Sequence, residues 1–323
     1  MQEAMFPETD GVLPAAVPAP VQSLAAALPS VVRLGTSSWT FPGWAGLVYA
    51  HRASAQALAR DGLPAYGHHP LLRTVSLDRS FYWPLEAAEY AACAQQVPDD
   101  FRFVVKAPAR ICDAVLRDPG GRGARPNPLF LDAQTALGEF VRPAMEGLGE
   151  KLGALVFQIS PLPAHWLSDR EALFAGLDAL LHALPPGLLC AVEVRDAAWL
   201  GADFAALLRA RGATYCLGLH PRLPPIDEQL PMLRALWPGP LVCRWNLHRR
   251  HGAQGYESAK AGYEPFDRLV DPDPGTREVL ARVAAATSAA GQPVYVTINN
   301  KAEGSAPCSV IALAEEIARQ RAG

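Results

Sequence analysis

The fold of this chain is indicated by the residues Gly35-Thr36-Ser37-Ser38-Trp39. This stretch distinguishes a closed α/β barrel from an open doubly wound α/β sheet. It comes at the end of the first predicted strand, Val31–Thr36, where an open doubly wound α/β sheet usually carries a glycine-rich phosphate turn. The stretch contains neither a GxGxxG pattern nor the lysine of a Walker motif. The sequence therefore favours the other fold, a closed barrel.

Further short apolar runs predict strands at Leu72–Leu77, Phe101–Lys106, Leu155–Ile159, Leu188–Val194, Thr214–Leu219, Leu241–Trp245 and Val294–Ile298. Helical patterns lie between and after them, near Leu85–Gln96, Leu131–Leu148, Asp169–Leu184, Ala202–Arg211, Glu228–Leu236, Thr276–Ala290 and Ser309–Arg319. Strand and helix in alternation indicate parallel β-α units of the α/β class. Eight such strands fit a single TIM-like (β/α)8 barrel.

Domain organisation follows from length and composition. The chain of 323 residues is 50% apolar, which is enough for one large core. Its first thirty residues contain five prolines and seven alanines, without the basic start and apolar stretch of a signal peptide. This composition predicts a disordered or extended N-terminal arm over residues 1–30. We expect residues 31–323 to form the barrel domain, because no linker separates two cores.

Charge and cysteine content narrow the classes of function. Lys and Arg total 29 against 32 Asp and Glu, which speaks mildly against wrapping of nucleic acid or binding to an anionic membrane. No apolar run reaches the roughly 20 residues that a membrane span needs. The cysteines lack the spacing of a metal site or a disulfide framework, and they indicate free thiols in a reducing cytoplasm: Cys93, Cys112, Cys190, Cys216, Cys243 and Cys308.

Polar residues lie near the carboxyl end of nearly every predicted strand. In a barrel these ends meet at one mouth, so the residues are expected to line a single site. Loop polarity explains a few of them, but not a glutamine inside Leu155-Val156-Phe157-Gln158-Ile159. The set comprises Ser37, Ser38, Asp78, Arg79, Lys106, Gln158, Glu193, Arg195, His220, Arg244, Asn246, Asn299 and Asn300.

Glu193 is the first candidate for a general acid or base, or for a metal ligand. It lies in Val192-Glu193-Val194-Arg195, where strand alternation puts Glu193 and Arg195 on the same face. A structural ion pair of Glu193 with Arg195 or Lys106 is an alternative of nearly equal weight, because perturbed carboxylates mark active sites only as a tendency.

Other residues of the set predict ligand binding. Lys106, Arg195 and Arg244 make the mouth cationic and suit a phosphate or carboxylate group. Trp39 offers a stacking face, and donors and acceptors for sugars or bases come from Gln158, Asn246, Asn299 and Asn300. No cofactor is expected. A divalent metal could be held by Asp78, Glu193 and His220, but no ligand motif requires one.

Short blocks in order from about Val31 to the C-terminus resemble the YecE-like family, also known as domain of unknown function 72. The resemblance implies a TIM-like barrel and no established activity. The blocks are Gly35-Thr36-Ser37-Ser38-Trp39 with Trp44-Ala45-Gly46, Thr74-Val75-Ser76-Leu77-Asp78-Arg79-Ser80-Phe81-Tyr82, Phe101-Arg102-Phe103-Val104-Val105-Lys106-Ala107-Pro108, Leu155-Val156-Phe157-Gln158-Ile159, Val192-Glu193-Val194-Arg195 with Trp199, and Asn299-Asn300-Lys301-Ala302-Glu303-Gly304.

The chain departs from the family pattern in two blocks. Where that pattern has a glutamate in the second strand followed by Asn-Ser or Asn-Thr, this chain has Ser76, Asp78 and Arg79. If the glutamate acts chemically in relatives, this chain either lacks that group or has moved its role to Asp78, and the second alternative makes Asp78 a further catalytic candidate. The seventh block, Arg244-Trp245-Asn246-Leu247, also differs, and the long stretch Tyr256–Pro274 after it resembles a subgroup feature.

The functional hypotheses share the same mouth. The connections from Ser38 to Pro70 and from Asn246 to Gly275 are long enough to be lids or binding loops. The first hypothesis is a hydrolase or lyase that acts on a small phosphorylated or sugar-like ligand at the carboxyl end of the barrel. The alternatives are a non-catalytic or nucleic-acid-binding barrel that holds a phosphodiester there, and a metal-assisted phosphoesterase. All three remain open at this point.

Overall fold

Eight parallel strands close into a barrel in the computed structural model, which describes residues 11–117 and 123–322. Strand β1 pairs with β2 and with β8, and every other strand pairs with its neighbours in sequence. The single TIM-like barrel predicted from the sequence is therefore confirmed. The strands are β1 (Val32–Thr36), β2 (Leu72–Leu77), β3 (Arg102–Lys106), β4 (Leu152–Gln158), β5 (Cys190–Glu193), β6 (Thr214–Leu219), β7 (Leu241–Trp245) and β8 (Val294–Ile298).

The strand predictions succeed because the burial of these segments is nearly continuous. Strands β2, β6, β7 and β8 have the predicted bounds, and the other four begin or end within three residues of them. In β6 and β7 every residue is buried, since helices cover the outside and the barrel interior covers the other face. A run of apolar residues is thus a reliable marker of a strand in this fold.

Helices surround the barrel, and those predicted between and after the strands are present with shifted ends. The predicted helix Leu131–Leu148 is interrupted by a π-helical turn, Leu137–Val141, just before Pro143, which has no N–H to donate to the preceding turn. No helix in the described ranges is both long and apolar enough to cross a membrane. The helices are Ala19–Ala27, Ala55–Asp61, Leu63–Gly67, Ala87–Ala94, Ala109–Cys112, Ala133–Ala136, Arg142–Leu148, Ala164–Ser168, Arg170–Ala183, Ala202–Ala210, Ile226–Ala235, Tyr256–Tyr263, Pro274–Ala289 and Ala306–Ala322. Outside the barrel, Val115–Arg117 pairs in antiparallel with Gly123–Pro126.

The N-terminal segment differs from the disordered or extended arm that we predicted. Residues 1–10 lie outside the described part, but residues 11–30 pack on the barrel. Backbone hydrogen bonds join Ala15 to Val48 and Ala50 to Leu13, and the helix Ala19–Ala27 contacts the last helix. The physical reason is an apolar helical spacing that the Pro/Ala composition obscured: Val21, Leu24 and Leu28 pack against the core.

The barrel interior contains two layers of side chains with opposite chemistry. The first, here called the apolar layer, consists of Val104, Val156, Ala191, Cys216 and Val242, which form one buried cluster with Ala154 and Tyr295. Two residues further along the same strands, on the same face and nearer the carboxyl ends, lies the polar layer: Lys106, Gln158, Glu193, Gly218 and Arg244. The polar layer forms the floor of the mouth.

The long connection after β7 reaches the polar layer. It contains the helix Tyr256–Tyr263, whose first residue places its ring 5.7 Å from the ring of His220 at the end of β6. Lys301, in the turn after β8, lies 5.9 Å from the ring centroids of both Tyr256 and Phe266. This connection therefore forms one wall of the mouth.

Candidate functional site at the barrel mouth

Glu193 lies at the centre of the polar layer and has no exposed surface. Its carboxylate accepts hydrogen bonds from Arg195 Nη1, from Arg244 Nη1 at 2.7 Å and from Asn246 Nδ2 at 3.1 Å. Burial by itself would raise the pKa of Glu193, but the charges and hydrogen bonds of the two guanidinium groups outweigh burial and lower it. Glu193 is therefore an ionised, fully engaged carboxylate beneath the mouth.

The terminal nitrogens of Arg244 donate hydrogen bonds to three other side chains of the site. Its Nη1 donates to Glu193 and to Gln158 Oε1 at 3.1 Å, and its Nη2 donates to both carboxylate oxygens of Asp78 at 2.9 and 2.6 Å. Ser76 Oγ donates to the same Asp78 at 2.6 Å. Although burial lowers the pKa of Arg244, the carboxylates of Asp78 and Glu193 raise it overall. Arg244 thus organises the site and has no terminal N–H left for a ligand.

Arg195 and Gln158 form the next part of the network. Gln158 Oε1 accepts from Arg195 Nη2 at 2.9 Å as well as from Arg244, which fixes the orientation of the amide. Its Nε2 then has no acceptor among the described residues. The structure therefore leaves a donor of Gln158 available beside the Arg195 guanidinium.

Lys106 is the least satisfied charge of the layer. Only 8% of its surface is exposed, and its Nζ has no hydrogen-bond acceptor within residues 11–117 and 123–322. Instead Nζ lies 3.5 Å from the ring centroid of Phe81. Burial and the nearby Arg244 lower the pKa of Lys106 to about 8. Lys106 is thus the charge of this cluster whose ammonium has no hydrogen-bonded carboxylate among the described residues.

The charges of the described mouth do not cancel. Lys106, Arg195 and Arg244 supply three positive charges, and Asp78 and Glu193 supply two negative ones, which leaves one positive charge. His220 adds none at neutral pH, because burial and Arg195 lower its pKa to about 4. Its Nδ1 accepts the backbone N–H of Arg222 at 3.1 Å, so the neutral ring carries its proton on Nε2.

Three further residues contribute to the mouth: Tyr256, Phe81 and Gly218. Tyr256 reaches it from a distant loop, and no local pattern could have placed it there. Phe81 covers Lys106 because Ser80 Oγ lies 2.6 Å from the carbonyl oxygens of both Leu77 and Lys106, which holds the turn against β3. Gly218 could have been found, since an isolated glycine inside a strand signals a close approach. A Cβ there would meet Arg195 Nη1 and Glu193 Oε1 at 3.5 Å and Leu223 Cδ1 at 2.9 Å.

Three predicted ligand-binding residues are placed apart from this cluster. Trp39 Nε1 donates to Leu58 O at 3.0 Å. Asn300 Oδ1 accepts from Trp44 Nε1 at 3.2 Å and from the backbone N–H of Ala306 at 2.8 Å, at the start of the last helix. Asn299 Nδ2 donates to Ser37 Oγ at 2.8 Å. These side chains fix the loops around the mouth. The structure brings together Asp78, Lys106, Gln158, Glu193, Arg195, Arg244 and Asn246.

The residues considered for a divalent metal are arranged differently from a metal site. In the described ranges there is no group of three or more His, Cys, Asp or Glu residues placed to hold a metal ion. Asp78 and Glu193 both accept hydrogen bonds from Arg244, whose positive charge opposes a cation at that point.

Fold and site together define an eight-stranded α/β barrel with a cationic mouth at the carboxyl ends of its strands. Within that class, the family model described as protein of unknown function DUF72 matches residues 33–323. The chain belongs to this family, which confirms the resemblance found in the sequence.

Solved structures of the same family share the fold. A DUF72 family protein from Enterococcus faecalis V583 is 15% identical, with a TM-score of 0.54 over 90% of this chain and 96% of that one. A DUF72 family protein from Thermotoga maritima MSB8 is 19% identical, with a TM-score of 0.53 over 88% of this chain and 98% of that one. The search of curated proteins gave no match. At these identities the similarity shows the fold alone.

Proposed function

We propose that the mouth binds a small anionic ligand, phosphorylated or sugar-like, through Lys106 and Arg195. The observation that carries the proposal is Lys106, a residue that is nine-tenths buried and whose ammonium has no hydrogen-bond acceptor among the described residues. An oxyanion placed against it would supply the acceptor and neutralise the remaining positive charge. The Nε2 atoms of Gln158 and His220 offer further donors for phosphate or hydroxyl oxygens.

The proposed chemistry is that of a hydrolase or lyase, with roles that differ from those expected from the sequence. Glu193 has no exposed surface and is held by two guanidinium groups, so we assign it to positioning Arg195 and Arg244 and not to general base catalysis. Asp78 keeps 33% of its side chain exposed and is the carboxylate that a ligand can reach. We propose Asp78 as the acid–base group of any reaction at this mouth.

Exposed aromatic residues favour a second candidate, a barrel that binds nucleic acid or another phosphodiester without a reaction. Tyr82 and Trp83, next to the Phe81 that covers Lys106, have 74% and 77% of their surfaces exposed and could stack on bases. The overall formal charge of −3 opposes binding of a long polyanion. For either candidate we propose a cytoplasmic location, which the free state of all six cysteines supports.

Calorimetric titration with glycerol 3-phosphate tests the proposal. Lys106→Met should weaken binding about ten- to a hundredfold, the usual effect of losing a hydrogen bond to a charged group. Lys260→Met is the matched control, because Lys260 lies half exposed on the helix Tyr256–Tyr263, and it should bind as the wild type does. Equal affinity in all three proteins would refute the anion site. Tighter binding of a single-stranded oligonucleotide than of glycerol 3-phosphate would favour the second candidate.

A further inference from the structure

We propose that Lys106 forms a covalent imine with the carbonyl group of an aldehyde or ketone that also carries a phosphate or carboxylate. This inference rests on the proposed function, since the anionic group of the same molecule would be held by Arg195. It narrows the substrate class from small anions to anionic carbonyl compounds, and it narrows the reaction to the lyase type.

The surroundings of Nζ are those of a reactive amine. The Phe81 ring covers one side of it at 3.5 Å, and no described residue accepts a hydrogen bond from it. Its charged neighbours are Asp78 just after β2, Glu193 in β5, Arg195 just after β5 and Arg244 in β7. The lowered pKa of about 8 leaves about one amine in ten neutral at pH 7. A neutral amine is the form that attacks a carbonyl carbon.

The reaction requires no partner beyond those named. The ammonium of Lys106 releases a proton, for which Asp78 is the nearby carboxylate, and the Nζ lone pair attacks the carbonyl carbon. The electron pair of the C=O bond moves to oxygen, which takes up protons and leaves as water. One ammonium and one carbonyl group thus give one iminium ion and one water molecule, with the charge conserved. The iminium then withdraws electrons from the adjacent carbon, so that a bond at that carbon can break.

Lys106 differs from every other lysine of the chain, and all of them are described. The chain has four: Lys106, Lys151, Lys260 and Lys301. Lys151 donates to the carbonyl oxygens of Ala94 and Val97 at 2.9 and 2.7 Å. Lys260 lies half exposed on the surface, and Lys301 lies above two aromatic rings of the long connection. Lys106 alone belongs to the barrel interior, so a covalent adduct can be assigned without ambiguity.

Reductive trapping tests the inference. The wild-type protein is incubated with sodium cyanoborohydride and either glyceraldehyde 3-phosphate or pyruvate, and the adduct is located by peptide mass mapping. We expect an adduct on Lys106 at least about tenfold more abundant than on any other lysine. Lys106→Arg keeps the positive charge but cannot form the imine, and it should lose the adduct. Lys260→Arg is the control and should keep it. The trapping rate should rise with pH to about 8, the pKa of Lys106, and level off above it.

Glycerol 3-phosphate, which has no carbonyl group, separates this inference from the proposed function. If it binds while neither carbonyl compound is trapped on Lys106, or while all lysines are labelled equally, the imine is refuted and the anion site stands. An adduct on Lys106 that glycerol 3-phosphate does not suppress would overturn the anion site and leave the imine. Absence of both binding and adduct would refute both.

Discussion

The apolar and polar layers of the barrel interior lie two residues apart on the same strands, yet they follow different rules. Ala191 and Glu193, or Val242 and Arg244, share a face and a strand, and all four are buried. The apolar layer is explained by packing alone, because removing its side chains from water stabilises the fold. The polar layer places Lys106, Glu193 and Arg244 in the same environment, and together with Arg195 and Asp78 beside them the charges leave an excess of one positive charge, which packing does not explain. The charged residues of the polar layer therefore need an explanation other than packing, and ligand binding is the one that we propose.

The largest effect on the unfolding free energy is expected when a charged side chain is introduced into the apolar layer. Val242→Asp would bury a carboxylate beside Cys216 and Tyr295 without a cationic partner in register. We expect a loss of about 4–5 kcal/mol or more in unfolding free energy, enough to prevent folding. Val242→Ala, the control, should cost about 2 kcal/mol through the cavity alone. Urea denaturation measures the unfolding free energy of both variants. Equal losses in Val242→Asp and Val242→Ala would show that the apolar layer tolerates a buried carboxylate, which contradicts the distinction between the two layers.

Glu193→Gln breaks the polar layer from within and should have the next largest effect. It leaves Arg195 and Arg244 buried with less negative charge, at a cost of about 3 kcal/mol at pH 7. The pKa of Glu193 is lowered in the fold, so its contribution is present above its unfolded value of 4.5 and is lost as pH falls below it. Glu264→Gln, at a half-exposed carboxylate, should change stability by less than about 0.5 kcal/mol. An equally small effect at Glu193 would mean that its ion pairs do not organise the mouth.

Strand positions in both layers could be predicted from the sequence, because apolar runs and their alternation specify which side chains face the interior. The hydrogen-bond partners of the polar side chains could not be predicted from the sequence. Asn299 and Asn300 are adjacent, but both lie beyond the end of β8 and Asn300 begins a 3-10 turn, Asn300–Ala302, so strand periodicity does not specify where their side chains point. Asn300 holds Trp44 and the last helix. That Arg244 would engage both Asp78 and Glu193 depends on three strands far apart in sequence, and sequence periodicity carries no such distance information.

Lys106→Met converts one position of the polar layer to the chemistry of the apolar one and should stabilise the protein. The pKa of Lys106 falls from 10.5 to about 8 on folding, which corresponds to about 3–4 kcal/mol at about 1.4 kcal/mol per pKa unit. The unfolded chain binds more protons between these two values, so wild-type stability rises with pH there. The advantage of the variant should therefore be full below pH 8 and decline towards pH 10.5. Unfolding curves at pH 7 and pH 10 measure it, and a variant less stable at pH 7 would contradict the prediction.

The smallest effect on stability is expected at Tyr256, which faces the polar layer from the long connection after β7. Burial raises the pKa of Tyr256, so its hydroxyl stays protonated, and it has no hydrogen-bond partner among the described residues. Tyr256→Phe should therefore change unfolding free energy by less than about 0.5 kcal/mol. If the hydroxyl donates to the bound anion, glycerol 3-phosphate should bind about three- to tenfold more weakly, the effect of one neutral hydrogen bond. Tyr263→Phe serves as the contrast, because that hydroxyl donates to Asp271 at 2.7 Å and its loss should affect stability and not affinity. Unchanged affinity in Tyr256→Phe would show that the ligand contacts the polar layer without reaching the long connection.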